Sequence, residues 1–216
     1  MLNKALITAI ILFGLFYVFC YSVIPVSLQL IFKVIPMILI IVLATTQNVP
    51  HIKKYKTLII IGLIFCMIGD YTLRFFLFGL SSFLIGHIFY IFAFARTSER
   101  KVPVYAKVIL LACGACMALL IAGTVFKSGE VVLGFAVCAY ISVILIMGWT
   151  SFRTGSTLSL IGAMLFIASD SFLAVDKFVT PLPFSHEFIM LTYYSAQLLI
   201  TLSIIQYAEI RSKVLQ

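Results

Sequence analysis

Charge is what this chain lacks. Lys, Arg, Asp and Glu make up 10% of its 216 residues, while hydrophobic residues make up 63%. A soluble domain carries about 25% charged residues, so this chain cannot cover its own surface with polar groups. That excludes a soluble globular enzyme or a cytosolic binding module. Acid is scarce, with seven Asp and Glu in all. Histidine is scarcer still, with three, and a zinc centre of the hydrolase kind wants about three within reach of one ion. Also missing are a low-complexity tail, a long linker and any polar stretch large enough to fold as a soluble domain.

What the chain has instead is a succession of apolar runs on the scale of the roughly 17–25 residues that a bilayer-spanning helix needs. The reading is all-α: a polytopic membrane protein with eight transmembrane helices in a single domain, residues 1–216. The spans fall at about 5–24, 28–46, 57–77, 80–95, 105–126, 131–149, 157–175 and 187–207. Turn and charge signals separate them: Pro25, the stretch from Asn48 to Lys54, Gly79, Arg100 to Pro103, Ser128-Gly129, Arg153 to Gly155, and Pro181 to Pro183. The first run, with Lys4 ahead of it, is too long for a signal peptide and lacks a small-residue cleavage site, so it reads as a retained helix.

The formal charge of +8 needs no nucleic-acid partner to explain it. With the N-terminus inside, one side collects Lys4, Lys53, Lys54, Lys56, Arg96, Arg100, Lys101, Lys107, Arg153, Arg211 and Lys213. The other side holds only Lys33, Arg74, Lys127 and Lys177. That bias fits eight spans with both termini cytoplasmic, in the cell or inner membrane if the source is bacterial. Membrane lipids are the expected surroundings, and the oligomeric state is left open. The five cysteines, including the Cys113-x-x-Cys116 pair, lie in apolar segments and read as buried small hydrophobes.

An internal repeat runs at an offset of 100 residues. Thr57 to Leu73 and Thr157 to Leu173 share Thr57/Thr157, Leu58/Leu158, Ile61/Ile161, Gly62/Gly162, Asp70/Asp170 and Leu73/Leu173, six of 17 positions. A weaker echo sets His87 and Tyr90 of the fourth span against Tyr194 and Gln197 of the eighth, each pair at i, i+3. The repeat halves would be about 5–95 and 105–207, a parallel four-plus-four duplication about an axis near the membrane normal.

The aspartates are the informative members. A carboxylate at the centre of a spanning helix costs on the order of 2.5–3.5 kcal/mol on insertion scales, so such groups face the bundle interior and usually function there. Asp70 and Asp170 fall at equal depth in their helices, in the outer half of the membrane on this topology. Lys33, His87, Tyr90, Tyr140, Tyr193, Tyr194 and Gln197 fall near the same level, from four further spans, so that six of the eight contribute. The pattern is that of a polar chamber inside the bundle, open toward the outer leaflet. Two carboxyls in one chamber titrate as a coupled pair, which supplies one acid and one base. Structural readings compete. Asp70 could pair with Arg74 one turn on, and Lys33 could snorkel to the interface or hold a phosphate. His87 could be a packing residue, and Tyr193 and Tyr194 could belong to an aromatic belt.

The motif Gly69-Asp70-x-x-Leu73 is followed by Phe83-x-x-Gly86-His87-x-x-Tyr90-x-x-x-Phe94. Gly162 to Phe178 (GAMLFIASDSFLAVDKF) and Ile189 to Ser203 (IMLTYYSAQLLITLS) come next, in order. Together, from about the second span to the eighth, these resemble the YhhN-like lysoplasmalogenase family. One departure is that Val34 and Ile35 separate Lys33 from Pro36, where the family pattern has proline directly after the lysine. The resemblance implies a membrane hydrolase that cleaves the vinyl ether of lysoplasmalogens to a fatty aldehyde and a glycerophosphocholine or glycerophosphoethanolamine. Such chemistry needs a proton donor, a base for water and negative charge near an oxocarbenium ion, and two aspartates supply all three without a metal or other cofactor. Asp70 and Asp170 are then the catalytic pair. Lys33, His87, Tyr90, Tyr140, Tyr193, Tyr194 and Gln197 line the substrate pocket, and a lysophospholipid enters from the bilayer. The rival from another class is a proton-coupled transporter or exporter built on the same paired aspartates.

Overall fold

The computed structural model describes residues 2–96 and 101–214. Arg100, one of the loop cations counted above, lies outside the described residues. The described chain is helical throughout: α1 (Leu2–Cys20), α2 (Val26–Thr46), α3 (Lys53–Thr72), α4 (Phe76–Ala95), α5 (Val104–Lys127), α6 (Val131–Arg153), α7 (Thr157–Phe178) and α8 (Ser185–Val214). All of these except α3 are long and apolar enough to cross a membrane, seven in total. α3 differs in carrying Lys53, Lys54, Lys56 and Asp70 within 20 residues. The outward faces are apolar, with Leu111, Leu119, Val132 and Phe135 among the most exposed side chains. In water that would be an aggregation hazard, whereas in a bilayer it is the lipid contact.

Short turns join the helices, so neighbours run antiparallel. The ends of α1, α3, α5 and α7 and the starts of α2, α4, α6 and α8 therefore gather at one face of the bundle, here called the distal end. Two hairpins, α3–α4 and α7–α8, are the most closely packed pairs. Gly62 and Gly162 make this possible. A Cβ on Gly162 would sit 2.8 Å from Ile200 and 3.0 Å from the Ala196 carbonyl, and one on Gly62 would overlap the Tyr90 ring. At Gly162 the absent side chain lets the α7 and α8 backbones touch, and at Gly62 it makes room for the Tyr90 ring.

The core runs along these contacts. Ile40, Leu43, Ile59, Phe94, Phe166 and Ile200 are fully buried in one continuous cluster. A second, smaller cluster, Met117, Ile121, Val137 and Ile141, joins α5 to α6. Within α5, residues Ala118–Ala122 widen into a π turn, a feature that often marks functional places in helices. The proximal end is fixed by polar caps. Ser156 Oγ accepts from Ser159 N–H (3.1 Å) to start α7 and donates to Gln206 Oε1 of α8 (2.5 Å).

Several boundaries differ from the sequence expectation. Gly79 was expected to end a span, but it lies inside α4, against the Leu73 backbone. The turn is instead Leu73 to Phe75, which contains neither glycine nor proline. α8 extends to Val214, about two turns past the expected 207, as an amphipathic tail with Arg211 and Lys213 exposed. The cysteines are less buried than expected: Cys66 is buried, Cys20, Cys113 and Cys138 are half-buried, and Cys116 is exposed on the outer face of α5. A sulfhydryl is apolar enough to face either core or lipid, so apolar neighbours in sequence do not decide between them.

The close hairpin contact gives a stability prediction. Gly162→Val should lower stability by about 1–3 kcal/mol through overpacking against Ile200 and the Ala196 carbonyl. Thermal unfolding of the detergent-solubilised protein measures it, with Gly123→Val, at an open position on α5, as the comparison.

Candidate active site

Asp70 sits in the last turn of α3 and is 4% exposed. Its Oδ1 lies 3.2 Å from Lys33 Nζ of α2, and its Oδ2 accepts a 2.6 Å hydrogen bond from Tyr193 Oη of α8. Three helices thus converge on one carboxylate. Tyr194, the next residue on α8, donates to the Lys33 backbone carbonyl at 2.7 Å and fixes α2 in place. Lys33 is therefore no freely snorkelling cation: its ammonium is paired with Asp70 and its backbone is tied to α8. Arg74 does not pair with Asp70. α3 ends at Thr72, so the i, i+4 relation no longer places Arg74 on the same helix face. Its guanidinium instead packs over Tyr71 and Phe75, 5.0 and 5.2 Å from the ring centroids.

Asp170 has different surroundings. It is half-buried two-thirds of the way along α7, and its Oδ2 accepts a 2.5 Å hydrogen bond from Tyr140 Oη of α6. No cation lies within ion-pair distance of it; among the described residues, Lys33 and Asp70 form the only ion pair. Asp170 and Tyr140 sit at the floor of a narrow apolar cleft of about 40 Å³. Its walls include Phe76, Phe83, Met117, Ile121, Leu173 and Phe178, drawn from α4, α5 and α7.

The two aspartates do not share one open polar chamber. Aromatic rings stand between them. Tyr193 packs edge-on to Phe83 (6.0 Å) and to Phe166 (5.5 Å), and Phe166 packs against His87 (4.4 Å). His87 in turn meets Tyr140 at 5.4 Å. His87 is fully buried, and neither ring nitrogen meets hydrogen-bond geometry with a described group, including the Phe83 backbone one turn earlier. Tyr90 and Gln197 lie one layer deeper, where Tyr90 Oη donates to Gln197 Oε1 at 2.7 Å and Gln197 Nε2 has no described partner.

Of the nine residues singled out in the sequence, Lys33, Asp70 and Tyr193 form one group and Tyr140 and Asp170 another. His87 lies between the groups, Tyr90 and Gln197 beneath them, and Tyr194 behind Lys33. Sequence reasoning passed over the separating wall, Phe83 and Phe166. Each lies four residues before a residue that was singled out, His87 and Asp170, and so on the same helix face. That spacing was the available signal. It also passed over the cleft wall at Met117 and Ile121, where the π turn of α5 is not legible in an aliphatic run.

An all-helical chain with an apolar exterior and interior carboxyls is an integral, multi-pass membrane protein. Its family follows from comparison with known proteins: the YhhN family profile matches residues 28–204, and the chain belongs to that family. It is 33% identical to bovine lysoplasmalogenase TMEM86A, over 71% of this chain and 67% of that protein. It is 38% identical to human lysoplasmalogenase TMEM86B, over 58% of this chain and 52% of that protein, and 32% identical to human lysoplasmalogenase TMEM86A. The match thus spans between half and two thirds of these relatives. No solved structure matches the chain.

A buried charge that loses its partner is expensive. Lys33→Met should destabilise the protein by about 3–5 kcal/mol, because it strips the buried Asp70 carboxyl of the cation that offsets its burial. Adding Asp70→Asn should recover most of that loss. Thermal unfolding of the two single variants and the double variant measures the coupling, and additive losses would mean that the pair does not act as a unit.

Proposed function

We propose that this protein is a membrane hydrolase that cleaves the vinyl ether of lysoplasmalogens, with Asp170 as proton donor and Asp70 as its base. The observation that carries the reading is the placement of Asp170 and Tyr140 at the floor of an apolar cleft, in a chain whose relatives are named lysoplasmalogenases. The cleft suits an alkenyl chain, and the carboxyl at its floor suits a reaction that begins with proton transfer to carbon.

The partners divide the roles. A carboxylate already ion-paired with Lys33 has no proton to give, whereas Asp170 meets only a hydroxyl and can carry the proton that moves. Asp170 protonates the outer carbon of the C=C–O unit, leaving an oxocarbenium ion. Water adds at the carbon bonded to oxygen, and Asp70 accepts the proton that water loses once the Phe83 ring, which meets Tyr193 and also lines the cleft, moves aside; the proton then passes back to Asp170 and restores the donor. The hemiacetal then collapses to a fatty aldehyde and the free glycerol hydroxyl of the head-group fragment. The sum is one vinyl ether and one water in, one aldehyde and one alcohol out. Tyr140 orients Asp170, Tyr193 and Lys33 hold Asp70 ionised, and Tyr194 braces Lys33. His87 and Gln197 offer unpaired polar atoms beside the rings where water can be held, and Tyr90 orients the Gln197 amide.

The topology that accompanies this reading has α3 as an eighth span, both termini cytoplasmic and the distal end facing outward, as the distribution of Lys and Arg supports. The four-plus-four repeat is supported by the paired hairpins, each with its glycine contact and with Asp70 and Asp170 at matching positions.

The test is aldehyde release from a lysoplasmalogen by the purified protein. Asp170→Asn and Asp70→Asn should each lose at least about 100-fold in rate while remaining folded. Wild-type rates in both variants would overturn the mechanism. Solute or proton flux in proteoliposomes without lipid turnover would replace it with transport.

A further inference from the structure

The cleft has a mouth as well as a floor. Phe76, at the start of α4, and Phe178, at the end of α7, meet edge to face at 5.3 Å and both line the cleft. The Lys177 ammonium stands 4.6 Å from the centroid of Phe76. Lys177 is exposed and has no carboxylate within ion-pair distance among the described residues. The adjacent carboxylate, Asp176, is engaged elsewhere, accepting from Leu182 N–H at 2.9 Å. An unpaired cation therefore sits at the rim of an apolar cleft whose other polar feature is a carboxyl at the floor.

Rim and floor lie on one stripe of one helix. Asp170, Leu173, Ala174, Lys177 and Phe178 follow i, i+3, i+4, i+7, i+8 along α7. Two turns separate Asp170 from Lys177, about 10.5 Å of rise at 1.5 Å per residue. Helical side chains lean toward the N-terminus, so the lysine stem reaches back along the cleft toward Asp170. In a 1-alkenyl lysophospholipid, six or seven bonds separate phosphorus from the vinyl carbons, about 8 Å at 3.8 Å per three bonds. A phosphate held at Lys177 thus puts the vinyl ether at the level of Asp170, and the tail continues along Met117 and Ile121 toward the bilayer.

We propose that Lys177, at the Phe76–Phe178 mouth of the cleft, is the phosphate-binding residue for a single-chain phospholipid. Lys33, ion-paired with Asp70, stays with that carboxylate in this assignment. This assignment rests on reading the cleft as the lysophospholipid site, but its test does not depend on turnover.

Binding of a saturated 1-O-alkyl lysophosphocholine, which has no vinyl ether to cleave, is measured on the purified full-length protein in nanodiscs. The phosphate-free 1-O-alkylglycerol serves as the second probe. Lys177→Glu should weaken the lysophosphocholine about tenfold relative to the alkylglycerol. Lys177→Arg should restore the ratio, and Lys127→Glu, a charge reversal at the distal end of α5 away from the cleft, should leave it unchanged. An unchanged ratio in Lys177→Glu, equal weakening of both probes, or the same shift in Lys127→Glu would overturn the assignment. Failure of the hydrolysis reading shows separately, as absence of aldehyde from a vinyl ether substrate while the binding ratio still responds to Lys177.

Discussion

A charge inside an apolar bundle must be met by another charge, and much of this structure follows from how Asp70 meets that demand. Its partners come from two other helices: the ammonium of Lys33 on α2 and the hydroxyl of Tyr193 on α8. Breaking such a pair leaves an uncompensated charge, which costs more than the pair itself contributes. The three helices are therefore held in register at the distal end by one carboxylate. Tyr194, adjacent to Tyr193, tightens the same joint through the Lys33 carbonyl.

With Lys33 committed, the two aspartates cannot be equivalent. A lysine from α2 meets Asp70, while a tyrosine from α6 meets Asp170. Matching positions in two similar helices thus acquire unequal chemistry. One is an ion-paired carboxyl behind a wall of rings, and the other is a carboxyl opening onto an apolar cleft. In the proposed reaction that asymmetry separates proton donor from base without recourse to any group outside the chain.

The aromatic wall also divides the surroundings of the two sites. On the Asp70 side lie tyrosine hydroxyls and the ammonium. On the Asp170 side lie Phe76, Phe178, Met117 and Ile121. In the proposed reaction the lipid tail lies on the second side. Phe83 is shared, touching Tyr193 on one face and lining the cleft on the other, so movement of this one ring would connect the two sides.

The sequence by itself determined the helical class, the membrane setting and the aspartates worth attention, because apolar length, charge scarcity and the cost of a buried carboxylate are properties of composition and spacing. The motif order from Gly69 to Gln197 likewise pointed to the family before any coordinates. Partner choice was decided only by tertiary structure. Arg74 was the nearest cation in sequence and proved irrelevant to Asp70, because α3 stops two residues before it and the helical spacing that would join them no longer applies. Lys33, 37 residues earlier in the chain, became the partner because helix packing, not sequence distance, sets which charges meet. The same holds for the wall and the cleft. Phe83, Phe166 and Ile121 look like any other apolar residues until the hairpins close around them.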